Sequence, residues 1–214
     1  MTVIGTVGLP GSGKGEAASV AREEGVPVVT MGDVIREECR DRGLDPAEHH
    51  GKVARRLREE NGPAAVAERS LPPIREHLAD SETVLVDGLR SDVEVERFEE
   101  AFGEEFLLVS IEAPFEVRAE RLGARGRDNS DLTRDALRKR EERELGFGMG
   151  EAMNLADVVI ENTDTLEAYR ARIRHLLRQG TAAIGEAEEV EGIEEVEEVE
   201  KVEEIEEVEG RLDG

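Results

Sequence analysis

The chain alternates short apolar runs with longer stretches of helical character. Val3–Val7, Val26–Thr30, Thr83–Asp87, Phe106–Ile111 and Val158–Glu161 are dominated by Val, Ile and Leu without polar alternation, and each is predicted to be a strand. Helices are predicted over Lys14–Glu24, Val34–Arg42, Glu48–Glu60, Pro63–Ser70, Glu116–Leu122, Thr133–Leu145 and Leu166–Leu177. Asn61-Gly62-Pro63 opens the fourth of these, with Pro in its first turn. Strands that are apolar on both sides and separated by helices must be covered on both faces. The expected fold is therefore a three-layer α/β domain with a five-stranded parallel sheet. No run approaches the roughly 18 apolar residues of a membrane span, and Met1–Val7 reads as a first strand and not as a signal peptide.

The pattern changes at Gly180–Gly185, where Gly, Thr and Ala interrupt the last helix. From Glu186 to Glu209 there are fourteen Glu and one Lys, with Val or Ile at every third position from Val190 to Val208. A helix turns about 100° per residue, so a three-residue period drifts around its surface and makes no apolar stripe. The expected organisation is a domain over residues 1–180 and an acidic low-complexity tail over 181–214. Glutamate repulsion would keep that tail disordered or transiently helical. It is either a solvating segment or an arm for a basic partner.

Charge and composition narrow the function. In 214 residues there are 52 Asp and Glu against 28 Lys and Arg, a net charge of −24. Phosphate-rich surfaces would be repelled, so neither nucleic acid nor an anionic membrane is an expected partner. Only Lys14, Lys52, Lys139 and Lys201 are lysines, and aromatics are 3% with no Trp. An acidic, Lys-poor, Arg-rich chain suits a high-salt cytoplasm, where screening relieves self-repulsion. The single cysteine, Cys39, excludes a disulfide framework and a cysteine-based zinc site.

The first strand runs into Gly8-Leu9-Pro10-Gly11-Ser12-Gly13-Lys14-Gly15, which fits G-x-x-x-x-G-K between a strand and a helix. Such glycines let the backbone fold into a concave nest of N–H donors. The nest and the helix N-terminus hold phosphates while Lys14 reaches the β and γ oxygens. Phosphoryl transfer is mostly positioning and cations, so a carboxylate at a neighbouring strand end is also wanted. Asp87 ends the third strand and would orient Mg²⁺ through water.

Gly8–Glu16 followed by Thr30-Met31-Gly32-Asp33-Val34-Ile35-Arg36 resembles the opening of adenylate kinase and its nucleoside monophosphate kinase relatives. Val84–Arg90 resembles that family's third strand, and Glu120–Arg127 the helix entering its lid. More closely, Asp87-Gly88-Leu89-Arg90-Ser91, then Arg140–Gly150, then Ala156–Thr163 resemble an archaeal UPF family of nucleotide-kinase type, linked to dephospho-CoA kinase. The resemblance covers about Met1–Leu177. It implies a P-loop NTPase fold with ATP and Mg²⁺ on the loop, an acceptor site over about 34–80 and a short lid over about 125–140. It also implies that Arg36 and Arg90 grip an acceptor phosphate and that Arg125, with Arg121 and Arg127, serves transfer from the lid.

Three departures stand out. Glu16 replaces the hydroxyl residue that follows Lys-Gly, and would either repel phosphate or help Asp87 hold Mg²⁺. Met31 replaces the Thr of the family's T-G-D segment, and Asp87–Arg90 is one residue shorter than D-G-F-P-R. Asn162, after the fifth strand, either lines an adenine pocket through loop carbonyls or is a turn residue, and His49-His50 reads as a solvated helix end. Two functions follow: a kinase that moves the ATP γ-phosphate to a small phosphoacceptor, or a nucleotide-binding switch without transfer. The charge itself makes a prediction. As the Debye length falls from about 30 Å to about 3 Å between dilute and molar KCl, self-repulsion falls with it. The melting temperature should rise across that range, and a flat profile would refute the high-salt reading.

Overall fold

A computed structural model of the chain describes residues 1–125 and 134–182, with Arg125 and Thr181 described by backbone alone. The expected lid falls partly, and the expected acidic tail almost wholly, outside the described residues. Met1–Thr181 forms one compact unit.

Five strands form the sheet: β1 (Thr2–Val7), β2 (Val28–Thr30), β3 (Thr83–Asp87), β4 (Phe106–Glu112) and β5 (Val158–Glu161). All neighbouring pairs are parallel and the order is β2-β3-β1-β4-β5. The central strand therefore precedes the Gly-rich loop, and its neighbour β3 ends in Asp87. The register sets Thr6 opposite Asp87 and Val7 opposite Ser110, so three strand ends converge there.

Both faces of the sheet are covered, as apolar runs without alternation require. Val3, Val7, Val84, Val86, Phe106 and Leu108 join the larger core cluster. The alternate residues Ile4, Leu85, Leu107 and Ile111 are equally buried on the opposite side. There α1 (Lys14–Glu23) packs against β3 and against α9 (Leu166–Gln179). Gly5 has a local reason: a Cβ there would lie 2.8 Å from the Phe106 ring. That ring stacks on Phe98, which also stacks on Phe102.

The helices follow the expected pattern with informative shifts. The second, α2 (Met31–Asp41), begins three residues earlier than expected and buries Met31, Ile35 and Cys39, a four-residue spacing on one face. Asp45 caps α3 (Pro46–Asn61) by accepting from Ala47 N at 2.9 Å, with Pro46 at the first helical position. Pro63 lies in a turn, and α4 runs Ala65–Leu78 through Pro72 and Pro73, past the expected stop at Ser70. Its buried face, Ala67, Leu71 and Ile74, continues across the prolines, so tertiary packing outweighs their local cost.

Two helices have no counterpart in the sequence reading. They are α5 (Asp92–Phe102) and α8 (Met149–Asn154). Ser91 caps α5 by accepting from Glu94 N at 3.3 Å, and Val95 and Phe98 form its buried face. Two more helices, α6 (Phe115–Arg125) and α7 (Arg134–Leu145), flank the undescribed residues 126–133. Among the described residues no helix is long and apolar enough to cross a membrane.

Phe98 is fully buried between two other rings, so truncation leaves a large cavity that helix α5 cannot close. Phe98→Ala should lower the unfolding free energy by about 3–5 kcal/mol. Urea titration checks this: the midpoint should fall with an unchanged slope.

Candidate functional site

Between β1 and α1 the chain adopts a conformation open only to glycine. Gly8, Gly11 and Gly13 have φ of 140°, 85° and 124°. There is also no room for a side chain. A Cβ on Gly8 would stand 2.3 Å from the Ile111 carbonyl oxygen, and one on Gly13 would stand 2.4 Å from Asn162 Nδ2.

The loop carbonyls are held from outside by groups distant in sequence. Asn162 Nδ2 donates to Ser12 O at 2.7 Å and the Tyr169 hydroxyl to Gly13 O at 3.0 Å. Arg118, on α6, donates from Nη1 to Pro10 O at 3.1 Å and from Nε to Ala113 O at 2.8 Å, and its guanidinium also pairs with Glu141 on α7. Gly-rich turns of this kind can present backbone N–H groups on their concave side, the geometry of an anion nest. Ser12 Oγ is buried inside this turn without a hydrogen-bond partner, an orphan that costs on the order of 1–3 kcal/mol unless something reaches it.

Lys14 opens α1 and folds its ammonium back onto the loop, donating to Gly8 O and to Leu9 O, the latter at 3.3 Å. Burial of the ammonium lowers its pKa to about 8. The carboxylates of Glu144 and Asp87 oppose that fall, while Arg90 and Arg140 add to it.

The loop forms one wall of a cleft of about 310 Å³. Asp87, Arg36 and Arg90 line it together with Lys14, so four of the residues singled out from the sequence share one space. Asp87 Oδ1 lies 3.5 Å from Thr6 Oγ1, across the β1–β3 register. Arg36 pairs with Asp33 one turn back on α2. Arg90 donates its backbone N–H to Glu94 Oε2 at 2.9 Å and holds its guanidinium 3.6 Å from Glu144.

Other expectations are met differently. Glu16 is not among the residues lining the cleft; its carboxylate pairs with Arg170 of α9, which also pairs with Glu23. Asn162 presents neither a bare turn nor a row of loop carbonyls. Its side chain is buried on the loop, and its own O and Oδ1 accept from Arg121 Nη2 at 2.9 and 3.1 Å. Arg125 ends α6 with only its backbone described, and Arg127 lies outside the described residues. His50 is no solvated helix end: it lines the cleft with Nε2 3.3 Å from Gly32 O, and burial, helped by Arg36 and Arg90, lowers its pKa.

Two charged cleft residues escaped the sequence reading, Arg58 on α3 and Glu94; Arg140, one of the arginines expected on the helix that returns from the lid, also lines the cleft. Glu94 is fully buried and accepts from Arg58 Nη2 at 2.8 Å as well as from the Arg90 N–H. A signal existed for it. Ser91-x-x-Glu94 has the spacing of a capping box, although this carboxylate reaches Arg90 N, one residue beyond the usual partner.

Comparison with known proteins places these features in a family. A family model described as an AAA domain matches residues 7–138. A UPF0200 protein of Halobacterium salinarum is 59% identical over 181 residues, 85% of this chain and 95% of that protein. A UPF0200 protein of Methanosarcina mazei is 49% identical over 178 residues, 83% of this chain and 94% of that protein. Among solved structures, TT1252 from Thermus thermophilus aligns with a TM-score of 0.58 at 23% identity, over 83% of this chain and 97% of that one. Shikimate kinase from Bacteroides thetaiotaomicron aligns with a TM-score of 0.53 at 18% identity, over 83% and 98%. These likenesses support the fold, a P-loop kinase-like α/β domain.

The outside clamp on the loop is open to test. Asn162→Ala leaves the Ser12 carbonyl without its donor and removes one of the two acceptors of Arg121 Nη2, an expected loss of about 1–3 kcal/mol. Amide exchange at Ser12–Lys14 should accelerate with it. Unchanged melting and exchange would mean that the loop holds its shape without Asn162.

Proposed function

The chain belongs to the archaeal UPF0200 family of P-loop proteins, and from that premise we propose that it is an ATP-dependent kinase acting on a nucleotide or similar small phosphoacceptor. One observation carries the reading. In a protein of net charge −24, the Gly-rich loop shares its cleft with Lys14, Arg36, Arg58, Arg90 and Arg140. A chain so acidic gathers cations in one cavity when a polyanion is to enter it.

Each residue then has a part. The N–H groups of Gly8–Gly15 and the α1 N-terminus receive the β- and γ-phosphates, with Lys14 as the point charge between them. Arg36 and Arg90, joined by Arg58, receive the anionic group of the acceptor, a task suited to the planar guanidinium fork. Arg125 is retained as a lid arginine. Among the described residues no group of three His, Cys, Asp or Glu side chains stands together. Mg²⁺ binds through substrate phosphates, water and one or two carboxylates. Asp87 is the residue offered to orient it, and Glu16, tied to Arg170, is left to the α1–α9 contact. When bound, Mg²⁺ neutralises charge across the β and γ oxygens. The acceptor oxygen forms the new bond to the γ-phosphorus as the bond to the bridging oxygen breaks and ADP leaves, so no protein nucleophile is required.

The test is ADP release, coupled to a detectable reaction, with nucleoside monophosphates and dephospho-CoA offered in turn at molar KCl. Acceptor-dependent ADP supports the kinase. ATP binding without turnover on any acceptor supports a nucleotide switch in its place. Lys14→Ala should lower the transfer rate on the order of 10²–10³-fold while part of the binding survives on the N–H nest. A variant that binds and turns over ATP like the wild type would refute the loop as the phosphate site.

A further inference from the structure

Helix α7 is strongly polar, yet it buries a carboxylate. Leu137 and Glu144 are its buried residues, and the Glu144 side chain is only 8% exposed. Glu144 accepts from Arg140 Nε at 3.1 Å and lies 3.6 Å from Arg90 Nη1. Both guanidiniums are about half exposed and line the cleft beside Lys14. Glu144 thus joins two arginines from different elements, one on α7 and one on the β3–α5 connection.

The position of Glu144 is set by the turn that follows it. Phe147 N and Gly148 N donate to Glu144 O and Leu145 O, both at 3.1 Å. Gly148 has φ of 97°, and a Cβ there would meet Asp92 Oδ1 at 2.6 Å and Ser91 Cβ at 3.3 Å. This Gly146-Phe147-Gly148 turn therefore seats the end of α7 directly on Ser91-Asp92, immediately after Arg90. No part of the P-loop explains the motif; this docking does.

A buried acid is a costly way to hold two helices together, since apolar residues of similar volume often stabilise as well or better. Its partners are half in solvent, and what it determines is where they point. We propose that Glu144 is a positioning residue, which aims two arginines into the cleft: Arg140 at the phosphates of the nucleotide on the loop, and Arg90 at the anionic group of the acceptor. The proposal rests on the reading that the loop holds ATP. Glu144 also favours the protonated form of Lys14, as Asp87 does, against Arg90 and Arg140. The same carboxylate therefore orients two cations and helps keep a third charged.

The experiment measures ATP affinity of the full chain by calorimetry between pH 6 and 10 at constant molar KCl, for wild type, Glu144→Gln and Arg140→Gln, with Glu142→Gln on the exposed face of α7 as control. Wild-type affinity should fall as pH rises through about 8, where free Lys14 loses its proton. Glu144→Gln should move that break to lower pH and weaken binding about tenfold at pH 7. In the Arg140→Gln background it should weaken binding far less, since one of the two aimed groups is already gone. Tighter binding in Glu144→Gln, as expected of a carboxylate that merely repels phosphate, would overturn the proposal. So would an unmoved break with affinity within twofold of wild type, the signature of a purely structural acid. If Glu144→Gln does not fold, Arg140→Gln decides: it should lose ATP affinity severalfold, and wild-type affinity overturns the proposal. Failure of the wild type to bind ATP is a separate outcome that removes the nucleotide reading itself.

Discussion

The architecture depends on a loop backbone that cannot support itself. Residues 8–13 take three positive-φ glycine conformations, and the carbonyls of Pro10, Ser12 and Gly13 are held by side chains from elsewhere in the fold. Such a turn survives only if those carbonyls find donors elsewhere, because buried unpaired backbone groups are costly. The donors come from three places: Arg118 on α6, Asn162 after β5, and Tyr169 on α9. The sheet order brings all three to the C-terminal end of the central strand. The phosphate-binding geometry is in this sense a property of the whole domain and not of eight residues.

The same constraint organises the charge. The body of the protein is acidic, and among the described residues many arginines are tied in surface pairs such as Arg56 with Glu60 or Arg97 with Glu68. Exposed pairs of this kind add little stability individually. The cleft differs because its acids are buried while its arginines are half free. Glu94 holds Arg58 and the Arg90 backbone, and Glu144 holds Arg140 and the Arg90 guanidinium. Buried carboxylates serve here as fixed anchors for cations whose working ends face the cavity. The arginines can then remain charged and directed before any ligand arrives, which spares the cost of ordering them on binding.

Much was legible in the sequence because it depends on near neighbours. Apolar runs without alternation imply a parallel sheet covered on both faces, since the physics of a doubly buried strand leaves no other pattern. G-x-x-x-x-G-K after a strand implies a phosphate loop, because only glycine permits the turn. Asp87 could be singled out because a strand end locates it, and Arg36 and Arg90 because the short motifs that hold them resemble those of a known family.

The tertiary structure alone decided the rest, and for one physical reason: the pairing of groups far apart in sequence leaves no periodic trace. Arg58 and Glu94 are 36 residues apart, and Asn162 and Ser12 are 150 apart. Nothing local distinguishes Arg58 from its neighbours Arg55 and Arg56, or His50 from His49. Glu16 pairs with Arg170, which arrives on the last helix, 154 residues away in sequence. Helix α4 passes through two prolines because its buried face, and not its local propensity, carries the energy. Composition and spacing determined what kind of chain this is and where phosphate would bind. Which arginines line the cleft beside the loop, and which acids pair with them, was decided by packing.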